Sequence, residues 1–177
     1  MTEDTLRLFF ALPCATEDAE AICTWRAGLN VGGKPVVKDN FHVTLAFLGN
    51  QPAEAVPGLL ALAAQVQGRP FTLTLDCLTT IGRDHACLQP SHPPHPLFGL
   101  QSRLKDRLLA SGLPVDDRPY LPHLTLARHA SPTTRHDAPA FSWCVDRFSL
   151  YVSENGPAGV RYRALGSWPL QDECASP

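Results

Sequence analysis

The sequence contains one short pattern twice, in which a histidine is followed two residues later by a threonine within an apolar segment. "FHVTLAFLG" carries His42 and Thr44, and "PHLTLAR" carries His123 and Thr125. Alternate residues of a β-strand point to the same face, so each histidine shares a face with its threonine while the apolar neighbours point to the core. One such histidine is usually structural. Two copies among only seven histidines favour a functional pair.

These residue types suit proton transfer at a phosphate. Displacement at phosphorus needs a base to activate the incoming oxygen and an acid to protonate the leaving oxygen, and two imidazoles can divide these roles near neutral pH. Threonine hydroxyls can donate to the non-bridging oxygens. A metal site is the competing interpretation, but the motifs supply two imidazoles where catalytic zinc sites usually have three protein ligands. We therefore expect no metal and no cofactor.

The elements that must position the motifs occur in the same order twice. A strand "RLFFALP", a helix over about 17–29 and the first His-x-Thr strand are followed by an apolar helix after Pro52 and a strand "FTLTLDCL". A short strand near "ACLQP", a helix over about 97–110 and the second His-x-Thr strand come next, followed by strands near "FSWCVDRFSLYVS" and "VRYRALGSW". Sliding the chain by 81 residues superposes strand, helix and motif.

This order predicts an α+β fold of two related lobes with mainly antiparallel sheets, flanking helices and an active-site cleft between the lobes. We expect a single bilobal domain over 1–177, with a pseudo-repeat at approximately 1–82 and 83–171, and a frayed tail at 172–177.

Composition excludes several classes of protein. A net charge of −2 does not suit the coating of long nucleic acids, and no apolar run approaches the roughly 18 residues of a membrane helix. The N-terminus lacks the basic start of a secretory signal, and the six cysteines form no C-x-x-C pair. We expect a cytoplasmic, monomeric protein with reduced thiols and no membrane partner.

The segments "RLFFALP", "FHVTLAFLG", "RPYLPHLTLAR" and "RYRAL" resemble the two-histidine (2H) phosphoesterase superfamily, and within it the bacterial RNA 2',3'-cyclic phosphodiesterases historically called 2'-5' RNA ligases. The resemblance implies metal-independent hydrolysis of an RNA end or nucleotide with a 2',3'-cyclic phosphate to a 2'-phosphate. It implies that His42 protonates the departing 3'-oxygen and that His123 activates water. Thr44 and Thr125 would hold the phosphate.

The resemblance also implies that Phe47 and Arg128, each five residues after a motif histidine, flank the nucleobase. Strict alternation along a strand would turn both side chains away from the cleft. We therefore expect each strand to end or twist there, which Gly49 allows after Phe47.

Two other functions remain open from the sequence. A 2'-5' RNA ligase would run the same site in reverse, although water at about 55 M favours hydrolysis. A non-catalytic module that binds RNA ends would not need two proton-transfer groups, and both histidines and both threonines are intact.

Overall fold

The computed structural model describes residues 4–134 and 138–172, so most of the expected tail lies outside the described residues. They form three helices, α1 (Thr16–Ala27), α2 (Val56–Ala63) and α3 (His95–Ala110). They also form ten strands: β1 (Thr5–Pro13), β2 (Lys34–Pro35), β3 (His42–Pro52), β4 (Phe71–Leu75), β5 (Cys77–Ile81), β6 (His85–Gln89), β7 (Leu124–Arg128), β8 (Phe141–Val145), β9 (Arg147–Gly156) and β10 (Gly159–Pro169).

The predicted helices and strands are present within a few residues, with one notable difference. The segment "FTLTLDCL" is not one strand, because it divides at Asp76 into β4 and β5, which belong to different sheets. The Asp76 carboxylate accepts hydrogen bonds from the backbone N–H and the hydroxyl of Ser91, at 2.7 and 2.5 Å. These contacts fix the corner at which the chain changes sheets.

The strands form one large sheet and one small sheet, and every registered pair is antiparallel. The large sheet has the order β10-β9-β1-β3-β7-β6-β5, with β2 paired to β7, and the small sheet is β4-β8. The mainly antiparallel α+β fold expected from the sequence is confirmed.

The two motif strands meet at the middle of the large sheet and divide it into two lobes. β3 and β7 are joined by the single pair Val43 and Leu124. One lobe contains β10, β9, β1 and β3, and the other contains β7, β6 and β5. β5, from the first predicted repeat, pairs with β6, and β9, from the second, pairs with β1, so each lobe includes a strand from the other repeat. The chain position of the repeat boundary stays a prediction.

Alternation along β1 separates the core from the opposite face of the sheet. Leu8, Phe10 and Leu12 are completely buried in the main apolar cluster, where each contributes roughly 1.5–3 kcal/mol through burial. Arg7 and Phe9 point to the other face, which is therefore open to a ligand. Helix α3 buries a 3.6-period stripe against the same cluster: Leu97, Leu100, Leu104 and Leu108.

None of the helices in the described ranges is both long and apolar enough to cross a membrane.

Candidate active site

A cleft of about 600 Å³ lies on the sheet face opposite the core. His42 and Thr125 from the two motifs line it, together with Phe47, Arg128 and Arg7. Among the described residues that line it, none is Asp or Glu. The protein has a net charge of −2, but this cleft has two arginines and no carboxylate, and it is therefore suited to an anion.

The strand register brings the two motifs side by side. Because Val43 pairs with Leu124 in antiparallel strands, His42 lies across from Thr125 and Thr44 lies across from His123. All four side chains point to the face opposite these two apolar residues. Each histidine is therefore next to the threonine of the other motif.

Both imidazoles are held in the same tautomer by the backbone. Nδ1 of His42 lies 2.8 Å from the carbonyl oxygen of Asn40, and Nδ1 of His123 lies 2.8 Å from that of Leu121. A carbonyl oxygen can only accept, so Nδ1 donates in both residues. Nε2 of each ring is therefore the atom that can accept a proton when the imidazole is neutral and donate one when it is charged.

The two threonine hydroxyls have different partners. The Thr44 hydroxyl lies 3.0 Å from Nε2 of His42, and it donates to that nitrogen when the imidazole is neutral. The Thr125 hydroxyl accepts the thiol hydrogen of Cys87, with Sγ and Oγ1 3.7 Å apart. This contact leaves the hydroxyl hydrogen of Thr125 available to a ligand.

His42 lies in an environment that disfavours its charged form. Burial lowers its pKa to about 4, the hydrogen bond to the Asn40 carbonyl opposes this shift, and His123, when it is protonated, and Arg128 lower the pKa further. The ring lies 4.9 Å from the Phe9 ring and 5.2 Å from the Tyr162 ring, measured between centroids. His42 is thus neutral at pH 7 without a ligand, and a bound anion would raise its pKa.

Phe47 and Arg128 both reach the cleft because each motif strand contains a β-bulge. Opposite β1, the pairing passes from Thr44 to Ala46 and skips Leu45. A bulge counts as one position in the alternation, so Phe47 returns to the face of Thr44. Half of the Phe47 side chain is exposed there, and its role against a nucleobase stays a prediction.

The bulge in β7 is equivalent. Opposite β6, the pairing passes from Thr125 to Ala127 and skips Leu126, which returns Arg128 to the face of Thr125. We expected each strand to end or twist at these positions: β7 does end at Arg128, whereas β3 continues to Pro52, and both strands carry a bulge before the residue in question. The two skipped leucines, Leu45 and Leu126, are 81 residues apart, as the motif histidines are.

Side chains that the sequence did not single out hold these bulges. The Leu126 carbonyl accepts from the Arg26 guanidinium and from the Val36 backbone N–H, each at 2.9 Å, and Arg26 also bonds to the Val36 carbonyl. On the other strand, the hydroxyl of the half-buried Tyr120 donates to the Thr44 carbonyl at 2.8 Å. Burial raises the pKa of Tyr120, so it remains a donor. The carbonyls next to both bulges are therefore satisfied.

Gly33 allows the chain to pass directly against the end of β7. Its φ is +77°, and a Cβ on it would lie 2.3 Å from the Arg128 carbonyl oxygen and 2.6 Å from that of His129. Only glycine fits this conformation and this approach. The chain at Gly33 therefore limits how far the backbone of Arg128 can move.

Tyr162 is a further cleft residue that the sequence analysis did not assign. Its hydroxyl lies 3.4 Å from Nη2 of Arg128, and its ring contacts His42 and Phe9. The segment "RYRAL" contributed to the family resemblance, so the signal was present without a role attached to this tyrosine.

Within the described part of the chain, no group of three or more His, Cys, Asp or Glu residues is arranged to hold a metal ion.

Comparison with known proteins gives matches over nearly the whole chain. A family model of the 2'-5' RNA ligase superfamily matches residues 15–157. The chain is 38% identical over 169 residues to the RNA 2',3'-cyclic phosphodiesterase of Escherichia coli (strain K12), covering 93% of this chain and 96% of that protein. It is 30% identical to the RNA 2',3'-cyclic phosphodiesterase of Thermus thermophilus, covering 95% and 92%. A crystal structure of E. coli LigT complexed with 3'-AMP matches with a TM-score of 0.87 at 37% identity, covering 96% of this chain and 100% of that chain.

Proposed function

The chain belongs to the 2'-5' RNA ligase superfamily, and we propose that it hydrolyses RNA ends carrying a 2',3'-cyclic phosphate to 2'-phosphates. The observation that supports this most strongly is the matched pair of imidazoles. Both are anchored through Nδ1 on a backbone carbonyl, and each is placed beside a threonine hydroxyl on one sheet face. Two relatives similar over most of the chain are RNA 2',3'-cyclic phosphodiesterases.

In the proposed reaction the two Nε2 atoms exchange one proton each with the substrate. Nε2 of neutral His123 takes a proton from water while the water oxygen bonds to phosphorus. The bond between phosphorus and the 3'-oxygen breaks, and Nε2–H of protonated His42 gives its proton to that oxygen. The products are a 2'-phosphate and a 3'-hydroxyl.

The threonine hydroxyls hold the phosphate. Thr125 donates its hydroxyl hydrogen to a non-bridging oxygen, because the oxygen of that hydroxyl already accepts from Cys87. Thr44 donates to His42 in the free protein. Once Nε2 of His42 is protonated it no longer accepts, and the Thr44 hydroxyl is free to turn to the phosphate.

Substrate binding supplies the charge state that His42 needs. Its pKa of about 4 leaves the free imidazole neutral at pH 7, and the phosphate anion favours the imidazolium. The acid therefore becomes charged when the substrate is in place. Phe47 and Arg128 flank the nucleobase, one through its ring and the other through its planar guanidinium.

We place the reaction in the cytoplasm and assign it to a monomer that uses neither metal nor cofactor. Cys14, Cys23, Cys87 and Cys144 form no disulfides, as is usual in a reducing compartment.

The test is incubation with an oligonucleotide ending in a 2',3'-cyclic phosphate, in the presence of a chelator, with the product mapped to the 2' or 3' position. We expect a 2'-phosphate. A longer product joined by a 2'-5' bond, formed when a 5'-hydroxyl oligonucleotide is added, would identify the ligase function. Unchanged substrate that remains bound would identify the binding module.

A further inference from the structure

The cleft continues past Phe47 into a row of polar side chains. Arg7 of β1 pairs with Asn50 of β3 on one side and with Ser153 of β9 on the other. Cross-strand neighbours share a sheet face, and all three residues line the cleft. We call these three residues the polar row. It lies two residues along β1 from the pair of Phe9 and Phe47, a distance of about 7 Å.

Arg7 provides the positive charge of the polar row. Its guanidinium carbon lies 4.7 Å from the centroid of the Phe47 ring. Arg118 and Arg163 pair with Asp116 and Glu154, whereas no Asp or Glu in the described ranges forms an ion pair with Arg7. A guanidinium that rests on a ring without a carboxylate partner can still present two parallel N–H groups to a phosphate.

The proposed function determines which anion could reach this position, and the inference rests on it. The terminal base would lie against Phe47, with the cyclic phosphate at His42. In an RNA chain, the next phosphate after the cyclic one is the phosphodiester on the 5'-oxygen of the same nucleoside. A mononucleotide does not have this group.

We propose that the polar row binds the nucleotide immediately upstream of the cyclic phosphate. Arg7 holds the connecting phosphodiester, and Asn50 and Ser153 bond to the polar groups of the upstream nucleotide. The preferred substrate is therefore an RNA end with at least one nucleotide upstream of the cyclic phosphate.

The test compares three substrates: a 2',3'-cyclic mononucleotide, a dinucleotide ending in a 2',3'-cyclic phosphate, and the same dinucleotide with an uncharged methylphosphonate linkage. For the wild-type protein we expect kcat/KM to be about tenfold or more higher on the phosphodiester dinucleotide than on the other two, as for a lost hydrogen bond to a charged group. Arg7→Gln should remove that advantage, lowering the rate on the phosphodiester dinucleotide by a much larger factor than the other two rates.

Arg161→Gln is the matched control. Arg161 pairs with Glu154 across β9 and β10, one position from the pair of Tyr162 and Ser153, so it points to the face opposite the cleft. The Arg161→Gln substitution removes the same charge as Arg7→Gln and should leave the rates on all three substrates unchanged. The slope of log kcat/KM against log salt on the dinucleotide should fall by about 0.7 in Arg7→Gln only.

Two results would overturn the inference. The first is that Arg7→Gln changes the mononucleotide and dinucleotide rates by the same factor, or changes neither. Arg7 would then act through Phe47 or not at all. The second is that the wild-type protein has the same kcat/KM on the methylphosphonate and phosphodiester dinucleotides. This result overturns the inference whether or not the variant folds. Failure to hydrolyse any of the three substrates would instead overturn the proposed function, and this inference with it.

Discussion

At the residue scale, the low pKa of His42 controls the acid side of the pH profile. In the proposed reaction one imidazole must be neutral and the other charged, so kcat/KM should be bell-shaped. Because the free protein has its His42 pKa lowered to about 4, the acid limb should lie near pH 4 rather than near the ordinary value of 6.5. The pH dependence of kcat/KM on a cyclic-phosphate dinucleotide measures this. A profile rising steadily from pH 5 to 9, or an acid limb near 6.5, would contradict it.

Phe47 and Arg128 should act on binding more than on proton transfer. Stacking on a base contributes roughly 1–3 kcal/mol, so Phe47→Ala and Arg128→Ala should each raise KM by about tenfold or more and preserve most of kcat. Arg128→Lys should not restore binding, since lysine lacks the flat guanidinium.

An abasic terminal ribose is the control for both variants. If they lose as much on that substrate as on the normal one, the stacking role is wrong. If Arg128→Lys retains much of the function, Arg128 contacts the phosphate instead.

At the scale of elements, the bulges at Leu45 and Leu126 decide that Phe47 and Arg128 face the cleft, and Gly33 packs against the backbone of Arg128. Gly32 and Gly33 both have positive φ, but a Cβ on Gly32 would meet nothing within 4 Å. Gly32→Ala should therefore lower the free energy of unfolding by about 1–2 kcal/mol without changing KM.

Gly33→Ala should do more, because its Cβ would displace the backbone of Arg128. We expect KM to rise with kcat largely kept, together with a larger loss of stability than in Gly32→Ala. Denaturant unfolding and steady-state kinetics on both variants check this. Equal KM values for the two variants would show that the contact does not position Arg128.

The sequence predicts the motif faces but not the bulges. Alternation from His42 to Thr44 and from His123 to Thr125 holds, because each pair precedes the bulge of its strand. It fails at Phe47 and at Arg128, since whether a strand skips a residue depends on its partner strand. The only local sign is a Leu-Ala pair in each strand, in which both residues are buried.

Strand partners were equally inaccessible from local patterns. "FTLTLDCL" alternates as one strand, and nothing within it indicates that β4 pairs with β8 while β5 pairs with β6. Partner choice depends on contacts distant in the sequence. The fold class follows from local and repetitive patterns, and it was predicted correctly.

At the scale of the whole molecule, the lowered pKa of the His42 imidazole should make stability depend on pH. The pKa of His42 is lower in the folded protein than its ordinary value, so as the pH falls the unfolded chain takes up this proton first. The His42 contribution is therefore complete above about pH 6.5 and is lost as the pH falls toward 4, by about 3 kcal/mol at most.

Urea unfolding between pH 7 and pH 4 tests this contribution. His42→Gln should lose less stability than the wild-type protein over that interval, because glutamine does not titrate. The carboxylates titrate in both proteins, so the difference between the two curves isolates the imidazole. Parallel curves would show that burial does not shift this histidine.

The most direct test of the acid and base roles is a substrate in which sulfur replaces the 3'-oxygen of the cyclic phosphate. A thiolate leaves without prior protonation, so this substrate does not need a general acid. On the ordinary substrate, His42→Ala and His123→Ala should each lower turnover by roughly 10² to 10⁴, and the double variant should lose far less than the product of the two. On the sulfur substrate, His42→Ala should return to near the wild-type rate, while His123→Ala should stay slow. Equal losses for both variants on both substrates would contradict the division of roles, and rescue of His123→Ala alone would reverse it.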